Sequence, residues 1–562
     1  MKKIFSILLV VVVVAMLTTL SVCSSSSSGS RVIRKIPVIT EPQTEDACQF
    51  ETTKLLVDAM KSLGINAELI TMPWTKLGDE IWFNRDKWDI TAWSFGIRPE
   101  RLDPQEFIFN VFHSSTAKDG YNFEGYINPE YDKVAEEQRK TIDKNKRQAL
   151  VKKAQEILAN DVPILFCNNP MQQFVYNTEV FDSNSVVDMP GLGILNYWTF
   201  ININPIGNVK DIILNSVEDF KAINPFYLGG IADGWAAELI FDRVMRLGAD
   251  SLPKPYAAKS VEWTSDTECK IVLRQDMAFT DGVKVTADDV KFSYEVPLLT
   301  DKSPAFKPFV SDIDTIQKVD DYTLIIKLKQ PSASFETSCL SKMPIAPKHI
   351  WEPIVKKLEG KTDTLETITR LDKNLLVGSG PFKFVGWQQN EKVIMEANKN
   401  HFEVPKVDKW ICIINGNMES TLGMIQSGDI NFLSQFMGDG SLLKEKVDAA
   451  GNLKMASTTS IGANFFAMNN RRAPFDDVAF RRAIAAVLDR QAIVDIVWKG
   501  FAVPNDSIIS PNLTFWKNTD LKYPSGGLKE AKKILKDAGY EWDKEGRLLY
   551  PKGKIETLKS NY

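Results

Sequence analysis

Between residues 48 and 93 the apolar residues change period three times, and this rhythm constrains the fold more than any other feature of the chain. Leu55, Leu56, Ala59, Met60 and Leu63 recur at helical spacing, and Gly64 follows as a natural helix-terminating residue. Residues 65–70 then alternate as a half-buried strand, 75–83 form a short helix, and 88–93 form a second strand. Such a β-α-β order buries both faces of a sheet, so it predicts an α/β lobe. Asn128-Pro129 opens the next helix, and an amphipathic stretch over 143–160 ends ahead of Pro163. The texture changes after a turn-rich linker at 204–208: residues 270–274 and 323–327 read as strands, Asp281-Gly282 as a tight turn, and Thr286 as a helix N-cap with Asp288 and Asp289 in the first turn. After Gly378 the α/β texture returns, with helices over 477–498 and 528–538, the latter closed by Gly539. A chain of 562 residues is too long for one ordinary core, so several lobes are expected.

The N-terminus fixes the compartment. Lys2 and Lys3 precede an apolar run from 4 to about 20, then Leu20-Ser21-Val22-Cys23 and a serine tract. This is an export signal over 1–23 followed by a Ser/Gly linker over 24–32. No second apolar run approaches the ~20 residues that span a bilayer, so the body is expected outside the cytoplasm. A net charge of -4 excludes a general basic field, and no nucleic-acid partner is expected. The other five cysteines are scattered without a CxxC and read as buried small hydrophobes, neither a disulfide framework nor a metal site. There is no GxSxG, HExxH, GxxxxGK[ST] or GxGxxG. His113, His349 and His401 each stand alone and read as structural, and the Asp288-Asp289 and Asp476-Asp477 pairs sit where helix capping explains them. No cofactor and no metal are implied. A secreted hydrolase with an unrecognised carboxylate pair remains open.

Several blocks resemble a known family. Thr280-Asp281-Gly282 with Val285-Thr286-Ala287-Asp288-Asp289-Val290-Lys291-Phe292-Ser293 is similar to the signature of the family 5 extracellular solute-binding proteins. Pro347-Lys348-His349-Ile350-Trp351, Gly378-Ser379-Gly380-Pro381-Phe382, the helix opening at Pro474-Phe475-Asp476-Asp477, and Gly125-Tyr126-Ile127-Asn128-Pro129 look like four further family blocks. The resemblance implies a large, two-lobed periplasmic-binding-protein-like fold of class II, with mixed sheets and a hinge between the lobes. It implies a monomeric receptor that captures a peptide, an oligosaccharide or a nickel complex and delivers it to the permease subunits of an ABC importer; a receptor feeding a sensor would share the fold. The signal resembles a bacterial lipoprotein's, in which Cys23 is lipidated and tethers the chain to the membrane, although Val22 departs from the small residue expected there. The blocks run in permuted order: 33–203 matches the family's C-terminal part, 204–208 joins the family's original termini, 209–400 matches its N-terminal lobe, and 401–562 completes the second lobe with 33–203. A rearranged gene would give the same order.

The family places much ligand contact in the loop after the strand that ends at Trp93. Trp93 and Ser94 are therefore the leading site residues, with Asn469 at a position near the cleft in family members and Trp387 and Trp235 as further aromatic platforms. Peptide-binding members commonly carry an aspartate where this chain has Gly96, so the resemblance favours an uncharged oligosaccharide over a peptide unless Arg98, Glu100 or Asp103 supplies a charge.

Overall fold

A computed structural model describes residues 31–553 apart from 98, 119, 227–230, 366–373, 416 and 437–438. Cys23, the linker to residue 30 and the C-terminal stretch 554–562 lie outside the described residues. The rhythm read from the sequence is realised as α1 (Ala47–Ser62), β2 (Ala67–Thr71), α2 (Trp74–Phe83) and β3 (Ile90–Ser94), and a further strand, β1 (Ile36–Thr40), precedes it. The three strands are parallel, β1 lying between β2 and β3. Asp46 caps α1 by accepting from the Gln49 amide, and Gly64 stops it at φ +82°. A side chain at Gly64 would also strike the Gly546 carbonyl, so that glycine allows two segments distant in sequence to pack.

The helices α3 (Gln105–Ile108), α4 (Pro129–Lys140) and α5 (Lys144–Asp161) follow, and then β4 (Ile164–Asn177), a strand of 14 residues. β4 holds the molecule together. Its first part pairs antiparallel with the late strand Asn464–Met468, which in turn pairs with β3. Its second part pairs with Leu453–Thr459 and Phe432–Leu433, and through the latter with Ile212–Ser216 and Lys409–Ile414. One 12-stranded sheet thus runs through two cores. The first core joins residues from 33–167 to residues from 461–550, including Ile36, Leu56, Trp88, Phe123, Phe465 and Phe480. The second joins residues from 174–256 to residues from 376–432, including Phe200, Ile212, Phe382 and Trp410. A third body, formed from residues between 244 and 345, packs around the antiparallel four-stranded sheet that includes Glu268–Leu273 and Thr323–Leu328.

The mixed α/β architecture agrees with the reading from sequence. The core boundaries fall near 170 and 460, not at 203, 209 and 400, because β4 is continuous in sequence yet serves two lobes. Residues 407–432 contribute Val407, Trp410, Cys412 and Phe432 to the second core, while Leu422, Ile425, Leu443, Val447 and Leu453 form a further cluster with Val175 of β4. The helix expected over 477–498 is also split. Val478–Val487 ends at Leu488, Asp489 caps a new turn by accepting from the Ala492 amide, and a π-helical turn follows over Ile493–Val497. Val32 bridges to Leu549, and the Ile33 amide donates to the Leu548 carbonyl, so both ends of the described body lie in the first lobe.

Candidate functional site

The chain crosses between the first two lobes at Asn168–Pro170 and again at Ser460–Gly462. Asn168 and Asn169 are fully buried there. The Asn169 amide donates to the carbonyls of Ser460 (3.2 Å) and Gly462 (2.7 Å), and Asn464 donates to Asn168 Oδ1 at 3.0 Å. The two crossings are therefore stitched together as one narrow hinge. A Cβ at Gly462 would lie 1.9 Å from the Phe95 carbonyl oxygen, so only glycine permits this approach. Phe95 begins the loop after β3, which connects the hinge directly to the strand end that the sequence singles out.

In an open α/β sheet, ligands bind beyond the carboxyl ends of the parallel strands. Here those ends are Thr40, Thr71 and Ser94. Trp93 lies at this edge, but its ring is only 6 % exposed. Trp74, the first residue of α2, covers it: the rings stack at 4.5 Å with an interplanar angle of 23°, and Trp74 remains 45 % exposed. Phe123 meets Trp93 edge-on from below. The accessible aromatic surface is thus Trp74, with Trp93 as its backing. The Trp74 amide donates to Glu45 Oε2 at 2.9 Å, which fixes the start of α2. Glu41 directly follows β1. Burial, then the nearby Asp46 and Glu45 carboxylates, push its carboxyl up to about 7. No described residue pairs with it.

The other expected residues are dispersed. Ser94 is half-buried and pairs with Asn464 in the hinge row. Asn469 is fully buried at the opposite end of that strand, where its amide donates to the carbonyls of Arg85 and Trp88. Its side chain is spent on a turn. Trp387 and Trp235 pack against the second core, and Trp387 Nε1 donates to Asp219 at 3.1 Å. Asp103, a possible charge partner for a ligand, is held by Arg147 in a two-pronged ion pair of 2.5 and 2.9 Å. Trp74 and Glu41 are not among the residues singled out from the sequence; Glu41 directly follows β1, and Trp74 opens the helix after β2.

One member of each carboxylate pair serves as a cap. Asp289 closes a capping box with Thr286, Asp288 pairs with Lys318, and Asp477 caps Val478–Val487. No cluster of three or more metal-ligating side chains occurs among the described residues, and none of their helices is long and apolar enough to cross a membrane. A groove of about 540 Å³ between Ser441–Asp448 and Lys499–Phe501 is open and charged and includes no strand-end residue.

Two lobes joined by a pair of crossing segments, with aromatic surface at the strand ends beside the hinge, define a hinged binding protein. The profile of the bacterial extracellular solute-binding proteins, family 5 Middle, matches residues 253–562, and the chain belongs to that family. Its members are extracellular binding proteins. Among curated relatives, the oligopeptide-binding protein AppA of Bacillus subtilis is 27 % identical over 62 % of this chain and 64 % of its own length. The glutathione-binding protein GsiB of Salmonella paratyphi A is 24 % identical over 59 % of this chain and 62 % of its own. The chain thus spans just under two thirds of the length of these relatives. The solved structure of AppA from Bacillus subtilis in complex with a nonapeptide is 22 % identical, covering 62 % of this chain and 71 % of that one with a TM-score of 0.44.

Proposed function

We propose that this chain is the ligand receptor of an ABC importer, that it captures a peptide by lobe closure and hands it to a permease, and that it performs no chemistry of its own. The observation that carries this reading is the strand-end edge: an exposed Trp74 ring stacked on Trp93 next to the hinge, with the half-buried Glu41 carboxyl following β1, the strand that pairs with β3. An aromatic surface holds side chains or sugar faces alike, so the carboxyl decides between them. A carboxyl raised by burial and like charge gains from an arriving cation, and a peptide supplies one at its amino terminus. Glu41 thereby takes the part that Gly96 cannot, and the expectation of an uncharged oligosaccharide gives way. The relatives' names, which specify oligopeptide and glutathione, support the same class.

Calorimetric titration with free-amino-terminus pentapeptides, their N-acetylated forms, and cello- and manno-oligosaccharides tests this. The free peptides should bind, acetylation should weaken them, and Glu41→Gln should erase that difference. Trp74→Ala should weaken binding by about 1–3 kcal/mol, the range for losing a large apolar contact. Binding of oligosaccharides with no response to any peptide overturns the ligand class.

Two further readings belong to this proposal. Cys23 is lipidated and the serine tract is a flexible leash; equal detergent partitioning of wild type and Cys23→Ala, with the signal retained in both, refutes it. The family blocks are circularly permuted about the 204–208 linker. A chain rebuilt to begin at 209, with 553 joined to 33 by a short Gly/Ser linker, should unfold at the wild-type temperature, because closed ends cost little loop entropy. Failure of that chain to fold refutes it.

A further inference from the structure

The third body hydrogen-bonds to the first lobe through a short segment, Ser332-Ala333-Ser334. The Ala333 amide donates to the Arg139 carbonyl at 2.7 Å. Arg139 lies in the last turn of α4, where carbonyls have no partner within the helix, so the visiting amide caps the first lobe's helix from outside. The Ala333 carbonyl accepts from Arg147 at 3.3 Å, and Ser334 Oγ donates to Gln105 Oε1 at 2.9 Å. Both Lys342 of the third body and Arg139 of the first lobe stand over the Phe109 ring, at 5.7 and 4.0 Å.

Arg147 is the centre of this arrangement. Its guanidinium is buried and shared among three elements: Asp103 at the far end of the loop that follows β3, Gln138 in α4, and Ala333 from the opposite body. Trp516 supports it from the side at 5.1 Å. The ligand loop and the visiting segment are therefore held by one rigid fork, whose planar donors fix both at once.

We propose that Asp103, Arg147 and the 332–334 segment form an interlobe latch that holds the lobes closed and reports the position of the strand-end loop to the opposite body. This inference rests on the hinged-receptor reading. When the lobes part, the Arg139 carbonyl loses its cap and the Arg147 fork loses one of its three partners, so opening breaks this small set of hydrogen bonds together. Arg147 is a positioning residue: it touches the loop and the segment, not the ligand. A ligand that settles the loop with Asp103 in place favours the closed state, and one that displaces Asp103 releases it.

Hydrogen exchange on the detergent-solubilised full-length chain, without any ligand, tests the latch. Three amide groups decide it: Ala333, the strand Thr323–Leu328 inside the third body, and the strand Asn464–Met468 inside the first lobe. In wild type the Ala333 amide should exchange well below its unprotected rate. The double variant Q105A/S334A removes only the side-chain bond and leaves Arg147 intact; it should speed Ala333 exchange about fivefold, the worth of one ordinary hydrogen bond. R147K keeps the charge but not the fork and should speed it at least as much, whereas the two strands should not change in either variant. Protection of Ala333 that is absent in wild type, or unchanged in the double variant, overturns the latch. So does acceleration that spreads equally to both strands, since that reports general unfolding. The experiment uses no ligand, so its failure leaves the receptor reading standing, and failure of the peptide titrations leaves the latch standing.

Discussion

Glu124 should make the first lobe lose stability as the pH rises, and Glu124→Gln should abolish that loss. The residue is fully buried between Phe123 and Gly125, and neither of its carboxyl oxygens has a hydrogen-bond partner. The nearest cations have other duties. Arg471 donates to the Phe123 and Ala117 carbonyls, and Arg85 donates to those of Trp82, Ala117 and Gly120. Burial outweighs the pull of the residue's own backbone N–H and the attraction of both arginines, and pushes the carboxyl from 4.5 up to about 8. A carboxyl whose pKa is raised by folding binds its proton more tightly in the native state. Stability is therefore complete below about pH 4.5, falls as the pH climbs towards 8, and levels off above it. Each pH unit in that window is worth about 1.4 kcal/mol, so the loss is about 3 kcal/mol at pH 7 and about 5 kcal/mol beyond pH 8. Glutamine has nearly the same shape and no titration. Hydrogen exchange of the Phe465–Ala467 amides, corrected for their intrinsic rates, gives the first lobe's own unfolding free energy across pH 4.5–8.5. The variant should match wild type within about 1 kcal/mol at the acidic end and exceed it by an increasing margin above. Parallel curves for the two proteins would refute the reasoning, because they would mean that the buried carboxyl is solvated or paired.

Three other perturbations follow from the same structure. Arg34 forms a two-pronged pair with the buried Asp89 and also donates to the Ala473 carbonyl, so Arg34→Met should destabilise the first lobe by about 1–3 kcal/mol in urea unfolding, the loss of charged hydrogen bonds from a carboxylate that among the described residues keeps only Arg472, at 3.5 Å. Gly462→Ala forces a methyl into the Phe95 carbonyl and should shift hydrogen exchange at the hinge row of Ser94 and Asn464 while leaving the Thr323–Leu328 strand unchanged. Ser293→Ala should cost about 1–3 kcal/mol in thermal unfolding, because Ser293 Oγ is fully buried and accepts from the Ala346 amide, which would be left without a partner.

Much of this fold is legible in the sequence wherever a local rule suffices. The helical and alternating periods over 48–93 give α1, β2, α2 and β3 within about two residues, and the caps at Asn128 and Thr286 act as those residue types predict. Local rules fail where pairing is long-range. Within Ile164–Asn177 the polar Asn168-Asn169-Pro170 run marks the crossing, but a polar break with a proline reads locally as the end of a strand, and nothing local shows that the strand continues into a second lobe. The helix read over 477–498 breaks because Asp489 can cap a new turn, a choice its neighbours do not dictate. At the site, Trp93 is legible as a strand end, but its cover by Trp74 depends on where α2 begins relative to β3. The Asp103–Arg147 pair spans 44 positions, a distance at which charge patterns carry no pairing information.

The order of strands in the first lobe has a consequence for how the chain is made. β3 and β4 are synthesised early, yet the strand that lies between them, Asn464–Met468, arrives only after all of residues 171–459. Until then the nascent sheet has a gap at its centre, with two unpaired edges of apolar strand facing each other across it. The second lobe and the third body can condense in the meantime, because their sheets are assembled almost wholly from residues between 171 and 459. The first lobe is the last to close, and its strand edges stay open to mispairing until the missing strand appears.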